Sequence, residues 1–195
     1  MKKKLVRCWN TINPLYIEYH DEEWGTPLHD DTRLFELLVL ESFQAGLTWE
    51  LVLKRREALK KAFSNFEPEK IAKYTEKDIT RLLNNPEIIR NKAKILATIN
   101  NARQFGDIRR DFGSFDTFIW SFVGGKSIDH ALKDYSQVLP ESEESRMMSK
   151  ELKKRGFKFV GPTICYSFMQ GAGLVNDHLV HCFRYKEIKK GHQKT

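Results

Sequence analysis

The chain has 195 residues, with 33 Lys and Arg against 26 Asp and Glu for a net charge of +7, and is 41% hydrophobic and 12% aromatic. That length can bury roughly 70% of the unfolded surface in one or at most two domains, and the composition excludes an acidic disordered chain, a collagen-like repeat and a low-complexity polymer. Three cysteines, Cys8, Cys165 and Cys182, are too few for a disulfide scaffold and point to a reducing, cytoplasmic setting, while the basic excess calls for an anionic partner, either nucleic acid or a membrane surface.

Lys2 to Lys4 are followed by only two apolar residues before Arg7, so no secretory signal is expected. Helical spacing dominates the rest of the chain and no run alternates convincingly, which predicts an all-α fold, one unit with two lobes. Asp30 or Asp31 caps a helix through about Gln44 with Gly46 as its stop, and Thr48 caps a second from Trp49 to about Phe63. Thr75 and Asp78 form a capping-box pattern opening a short helix to Leu83. Asn85-Pro86 places proline at a first helical position, with Ile88, Ile89, Ala93, Ile95, Leu96 and Ile99 continuing to about Phe105. Residues 106–114 read as a basic loop, Phe115 to Val123 as a short apolar helix, and Pro140 to Ser145 as an acidic linker capping a helix that ends in Lys153, Lys154 and Arg155. The uncharged stretch Phe159 to Val175 holds Gly161, Pro162, Gly171 and Gly173, and reads as a buried helix rather than a membrane span. The aromatic-rich N-terminal segment and residues 159–183 are expected to cover each other.

Four constellations could carry chemistry. Gly156 and Gly161 bracket a turn between the helix 149–155 and the helix from Pro162 to Gly171, crowded by Lys153, Lys154, Arg155 and Lys158. The amides after Gly161, including that of Thr163, lie where a helix N-terminus binds phosphate; an ordinary helical hairpin with solubilising lysines fits the spacing equally well. Glu41 falls between Leu34, Leu37 and Leu38 on the apolar face of its helix, so it either pairs in the core or lines a cavity with a raised pKa. Trp9, Tyr16, Tyr19, Trp24 and Trp49 cluster in the first quarter of the chain and either fill a core or sandwich a planar or cationic ligand. Cys8, His20, His178 and Cys182 make a Cys2His2 set suited to tetrahedral zinc if 176–183 is helical, with His181 a rival ligand. Cys165 reads as core; His29, His130 and His192 read as surface residues without partners.

The run Arg7-Cys8-Trp9 followed by Pro14 to Gly25 resembles the opening of the DNA-3-methyladenine glycosylase I family. Glu41 to Trp49 (ESFQAGLTW), Ile89 to Lys92 (IRNK) and Lys153 to His178 (KKRGFKFVGPTICYSFMQGAGLVNDH) continue the match over about residues 5–185. The resemblance implies an α-helical glycosylase of the helix-hairpin-helix superfamily that flips 3-methyladenine out of alkylated double-stranded DNA and hydrolyses its N-glycosidic bond, leaving an abasic site. It further implies that turn 156–161 anchors DNA, that Cys8, His20, His178 and Cys182 hold a structural zinc, and that Glu41, Tyr19 and Trp49 form the base pocket with Tyr16, Trp9 and Trp24 nearby. The implied enzyme is monomeric and does not act at membranes.

Many members carry one more residue between the cysteine and the following tryptophan, and Asp177 stands earlier than the catalytic Asp of the wider superfamily, beside a zinc ligand. Thr163 stands where lyase-type relatives place a nucleophilic lysine, which implies simple hydrolysis. Two rivals are a zinc-dependent hydrolase using His178, His181 and Cys182 around an activated water, and a non-catalytic DNA-binding module that uses the hairpin alone.

Overall fold

A computed structural model describes residues 5–191; Lys2 to Lys4 and His192 lie outside this range. The architecture is ten α-helices, three short turns of 3-10 or π helix and one two-residue pair of strands among the described residues, so the all-α reading holds. None of these helices is long and apolar enough to cross a membrane.

Helix α2, Asp31–Gln44, starts where Asp30 accepts a hydrogen bond from the Arg33 amide at 2.8 Å. It is the central element, buried on all sides from Leu34 to Phe43, and it packs on α3 (Trp49–Ala62), α6 (Lys92–Phe112), α7 (Phe115–Ser121) and α9 (Pro162–Gly171). Thr48 caps α3 through the Leu51 amide, and the Thr75–Asp78 capping box opens α5 (Glu76–Leu83) as the sequence predicts. The short helices α1 (Pro14–Glu18) and α4 (Pro68–Ile71) start on prolines; neither has enough length to show a period.

The sequence and the structure part company around α6. Pro86 does not open a helix: Asn85 accepts from the Glu87 amide at 2.9 Å, closing a turn, and Asn91 is the cap, accepting from Lys94 at 3.1 Å. At the far end, residues 106–112 continue the helix instead of forming a loop. Gly106 faces open space, at a propensity cost of about 1 kcal/mol, while Phe105 and Ile108, three residues apart, are both buried. Packing therefore overrides the glycine, and the stop comes at Gly113, whose φ of +86° is a left-handed conformation natural only to glycine.

Helix α8, Glu143–Lys154, capped by Ser142, packs on α9, and the turn between them is held from behind. Asn100 donates to the Gly156 carbonyl at 2.8 Å; Asn101 donates to the Lys158 carbonyl at 2.9 Å and accepts from the Lys158 amide at 2.8 Å. Ser149 donates to the Val160 carbonyl at 2.7 Å. Three polar residues thus fix the backbone of a turn that the sequence marks only by its glycines.

After α9 the chain forms strand β2, Val175–Asn176, parallel to β1, Ile128–Asp129. Residues 176–182 are therefore not a helix, so the condition of a shared helical face for His178 and Cys182 is not met; a turn closed by the Cys182 amide on the Leu179 carbonyl at 2.7 Å brings them together instead, before α10, Phe183–Gly191. The Phe183 amide bonds the Val6 carbonyl at 3.0 Å, so the N-terminal segment does return to this region. Gly173 permits the crossing: with φ at +71°, any Cβ there would lie 2.5 Å from the Thr26–Pro27 backbone.

Candidate functional site

The aromatic segment does not simply fill the core. After α1 the backbone widens into a π-helical turn over Tyr19–Glu23, closed by the Trp24 amide on the Tyr19 carbonyl at 2.9 Å, a local distortion common at functional sites. This turn buries two consecutive side chains in two adjoining places: Tyr19 in a cavity and His20 in a cluster of cysteine and histidine.

The cavity has a volume of about 500 Å³ and is lined by Trp9, Tyr16, Tyr19, Trp24, Glu41 and Trp49, all six expected base-pocket residues. Trp9 sits 4.8 Å from Trp24 and 5.3 Å from Tyr16, and it runs nearly parallel to Tyr19 at 6.2 Å between ring centroids. Trp49 lies 5.2 Å from Tyr19. Rings in these attitudes present π faces to whatever enters. Asn10, Gln44, Tyr135, Val138, Ser167 and Gln170 also line the cavity; the sequence signals none of these, because each comes from a loop or a helix face whose partner only the fold supplies.

Glu41 is 4% exposed, and its Oε2 has no hydrogen-bond partner among the described residues. The core-pairing alternative therefore fails. Burial pushes its carboxyl up to about 8, so near neutrality the group is largely protonated. The indole N–H of Trp49 is likewise buried without a partner. Two unsatisfied polar groups in one aromatic cavity are what a site for a polar, planar ligand requires.

Adjoining the cavity, Cys8, His20, His178 and Cys182 bring their ligand atoms within 4.8 Å of one another. Each imidazole has one nitrogen committed elsewhere. His20 Nδ1 meets Asp21 at 2.8 Å, itself held by a fork of hydrogen bonds from Arg7, and His178 Nε2 donates to the Trp24 carbonyl at 2.9 Å. The other two nitrogens face the cysteines: His20 Nε2 accepts from the Cys8 amide at 3.4 Å and lies 3.6 Å from Cys182 Sγ, and His178 Nδ1 is 3.3 Å from Cys8 Sγ and 3.6 Å from Cys182 Sγ. Two thiolates and two oriented imidazoles fit a closed tetrahedral zinc site, including the outer-shell hydrogen bonds such sites carry. His181 is exposed and outside the cluster, and Cys165 is core, its Sγ on the Val160 carbonyl at 3.5 Å.

Around the hairpin, Lys153, Lys154, Lys158 and Thr163 are exposed, and α9 starts at Gly161 without a side-chain cap, leaving its first amides open. Arg155 is engaged inward: it pairs with Glu151 and Asp111, both at 3.0 Å, and covers Phe112 at 4.8 Å. The Ser42 hydroxyl, one residue from Glu41, reaches the Phe159 carbonyl at 3.1 Å and so ties the hairpin to the cavity helix. Two histidines expected to lack partners have them. His29 stacks on Trp120 and pairs with Asp116, and His130 pairs at 2.6 Å with the buried Asp177.

Comparison with known proteins places these features in context. The methyladenine glycosylase family model matches residues 9–185. The chain is 48% identical to DNA-3-methyladenine glycosylase 1 of Escherichia coli (strain K12), over 93% of this chain and 97% of that protein. It is 47% identical to DNA-3-methyladenine glycosylase of Haemophilus influenzae, over 91% and 96%. The fold superposes on a crystal structure of 3-methyladenine DNA glycosylase I with a TM-score of 0.89 at 49% identity, covering 91% of this chain and 98% of the other. It also superposes on 3-methyladenine DNA glycosylase I of Staphylococcus aureus, studied for its recognition of 3-methyladenine, with a TM-score of 0.88 at 43% identity, covering 90% and 94%.

Proposed function

Since the chain belongs to the methyladenine glycosylase family, we propose that its aromatic cavity is the pocket from which it excises 3-methyladenine as a DNA glycosylase. The observation that carries this assignment is Glu41, buried and unpartnered in a cavity walled by six aromatic side chains. Methylation at N3 gives the base in DNA a positive charge. Extrusion of the nucleotide costs a few kcal/mol, less for a poorly stacked lesion, and stacking against the rings offsets it. The cation supplies the countercharge that Glu41 lacks, so the carboxyl gives up its proton and pairs with the base, while the aromatic faces add cation–π attraction. Neutral adenine receives neither contribution.

The hydrolysis itself asks little activation of a base already charged. The electron pair of the N-glycosidic bond leaves with the base, which departs neutral; the sugar carries the positive charge until water adds at C1′ and loses a proton. Thr163 offers no amine to attack the sugar, so the reaction stops at the abasic site. Lys153, Lys154 and Lys158, with the open amides of α9, hold phosphates of double-stranded DNA without reading sequence. Cys8, His20, His178 and Cys182 would hold zinc, whose four protein ligands leave no open position, so its contribution is cross-linking. Those ligands adjoin the cavity walls: Trp9 follows Cys8, Tyr19 precedes His20, and the Trp24 ring lies 4.6 Å from His178. The protein acts as a monomer inside the cell.

Glu41→Gln tests the assignment, because it keeps the shape and removes the ionisable group. Excision falls at least tenfold while affinity for undamaged DNA stays unchanged; an unaltered excision rate would take Glu41 out of the site.

A further inference from the structure

Gln170 is in the last turn of α9 and lines the same cavity as Glu41. Its amide has two ends that look alike in shape and differ in chemistry, and here the environment decides between them. The side-chain nitrogen is 2.8 Å from Oδ2 of Asp177, a residue 1% exposed. The same carboxylate receives the Tyr166 hydroxyl at 2.7 Å and meets His130 Nδ1 at 2.6 Å. A carboxylate surrounded by donors accepts only, so the NH2 end of Gln170 must face Asp177. The oxygen end is left over. No hydrogen bond to Gln170 Oε1 is present among the described residues, and this atom is not sealed from solvent.

The cavity therefore offers two polar groups of different character. Glu41 donates when neutral and accepts when ionised, and so adapts to either kind of partner. Gln170 cannot adapt, because turning its amide over would set its oxygen against Asp177. Adenine-type and guanine-type bases differ at this level: the exocyclic group is an NH2 donor at position 6 of adenine and a carbonyl acceptor in guanine.

We propose that Gln170 determines specificity for adenine-type lesions, its Oε1 accepting a hydrogen bond from the 6-amino group of 3-methyladenine, and that Asp177 is the positioning residue that fixes this oxygen. The proposal rests on the excision reading above. A 3-methylguanine in the same place sets its O6 against a fixed acceptor and is rejected although it carries the same charge and the same methyl group. Asp177 thereby acquires a role in base selection with no direct contact with the base.

The test uses the full chain and DNA methylated to contain both 3-methyladenine and 3-methylguanine, with the two released bases quantified by chromatography under single-turnover conditions. Gln170→Met keeps the length of the side chain and removes the acceptor. Its 3-methyladenine rate constant falls about tenfold, the effect of one lost base-reading hydrogen bond, and the 3-methylguanine rate constant does not fall with it, so their ratio drops about tenfold. Both rates come from one protein sample, so loss of folded enzyme cancels from the ratio. Asp177→Asn, which can donate as well as accept, frees the amide to turn and lowers the ratio with Gln170 still present. A ratio for Gln170→Met within twofold of wild type overturns the proposal. A lowered ratio there with an unchanged one in Asp177→Asn removes Asp177 from it. Release of neither base by the wild-type protein sinks the excision reading instead, a different outcome from either.

Discussion

The buried carboxyl proposed to serve recognition should weaken the fold, and the structure sets the size of the effect. Burial raises Glu41 from 4.5 to about 8, so between these values the folded state holds a proton that the unfolded chain has released. Stability then falls as pH rises through that window, and the loss is complete above the folded-state value. At 1.36 kcal/mol per unit the full penalty is at most about 5 kcal/mol, and about 3 kcal/mol of it develops between pH 6 and pH 9. Glu41→Gln carries no such penalty. Urea unfolding of wild type and variant at both pH values isolates the term, because every other titrating group cancels in the comparison. The stability of the variant relative to wild type should rise by up to about 3 kcal/mol from pH 6 to pH 9. An unchanged difference would mean that Glu41 is solvated or paired in the folded protein, and the recognition argument would lose its physical basis.

Lys158→Ala should weaken binding to DNA of any sequence and reduce the slope of log affinity against log salt by about 1; fluorescence anisotropy over a salt series reads it, and parallel lines for variant and wild type would remove Lys158 from phosphate contact. Metal analysis should find one zinc per chain in wild type and in His181→Ala and much less in Cys182→Ser, and a chelator should lower the melting temperature before it lowers excision. Immediate inhibition of a still-folded protein would instead favour metal-activated water.

Much of the fold is written locally in the chain. Asp30, Thr48 and Thr75 cap where their side chains predict, because an N-cap is a contact between residues two or three apart. Gly106 and Pro86 mislead because the burial of Phe105 and Ile108 and the turn made by Asn85 outrank intrinsic propensity. At the site, Glu41 is legible as an acid on an apolar face, and the Cys8, His20, His178 and Cys182 set as a ligand chemistry, although the bond pattern that joins the last two is a turn. Tyr135, Ser167 and Gln170 carry no sequence signal, since their place in the cavity depends on how α9 and the 124–142 segment meet the N-terminal aromatic segment. Arg155 shows the converse: its basic neighbourhood suggests phosphate contact, while Glu151, Asp111 and Phe112 hold it inward.

Whether this cavity removes a cationic methylated purine from DNA is decided by chromatography of the bases released when the purified protein is incubated with methylated double-stranded DNA. Free 3-methyladenine should be the main product, with no release of adenine and with intact strands that break only on later treatment of the abasic sites with alkali. DNA that binds the protein but yields no free base would reduce the molecule to a binding module and rule out excision.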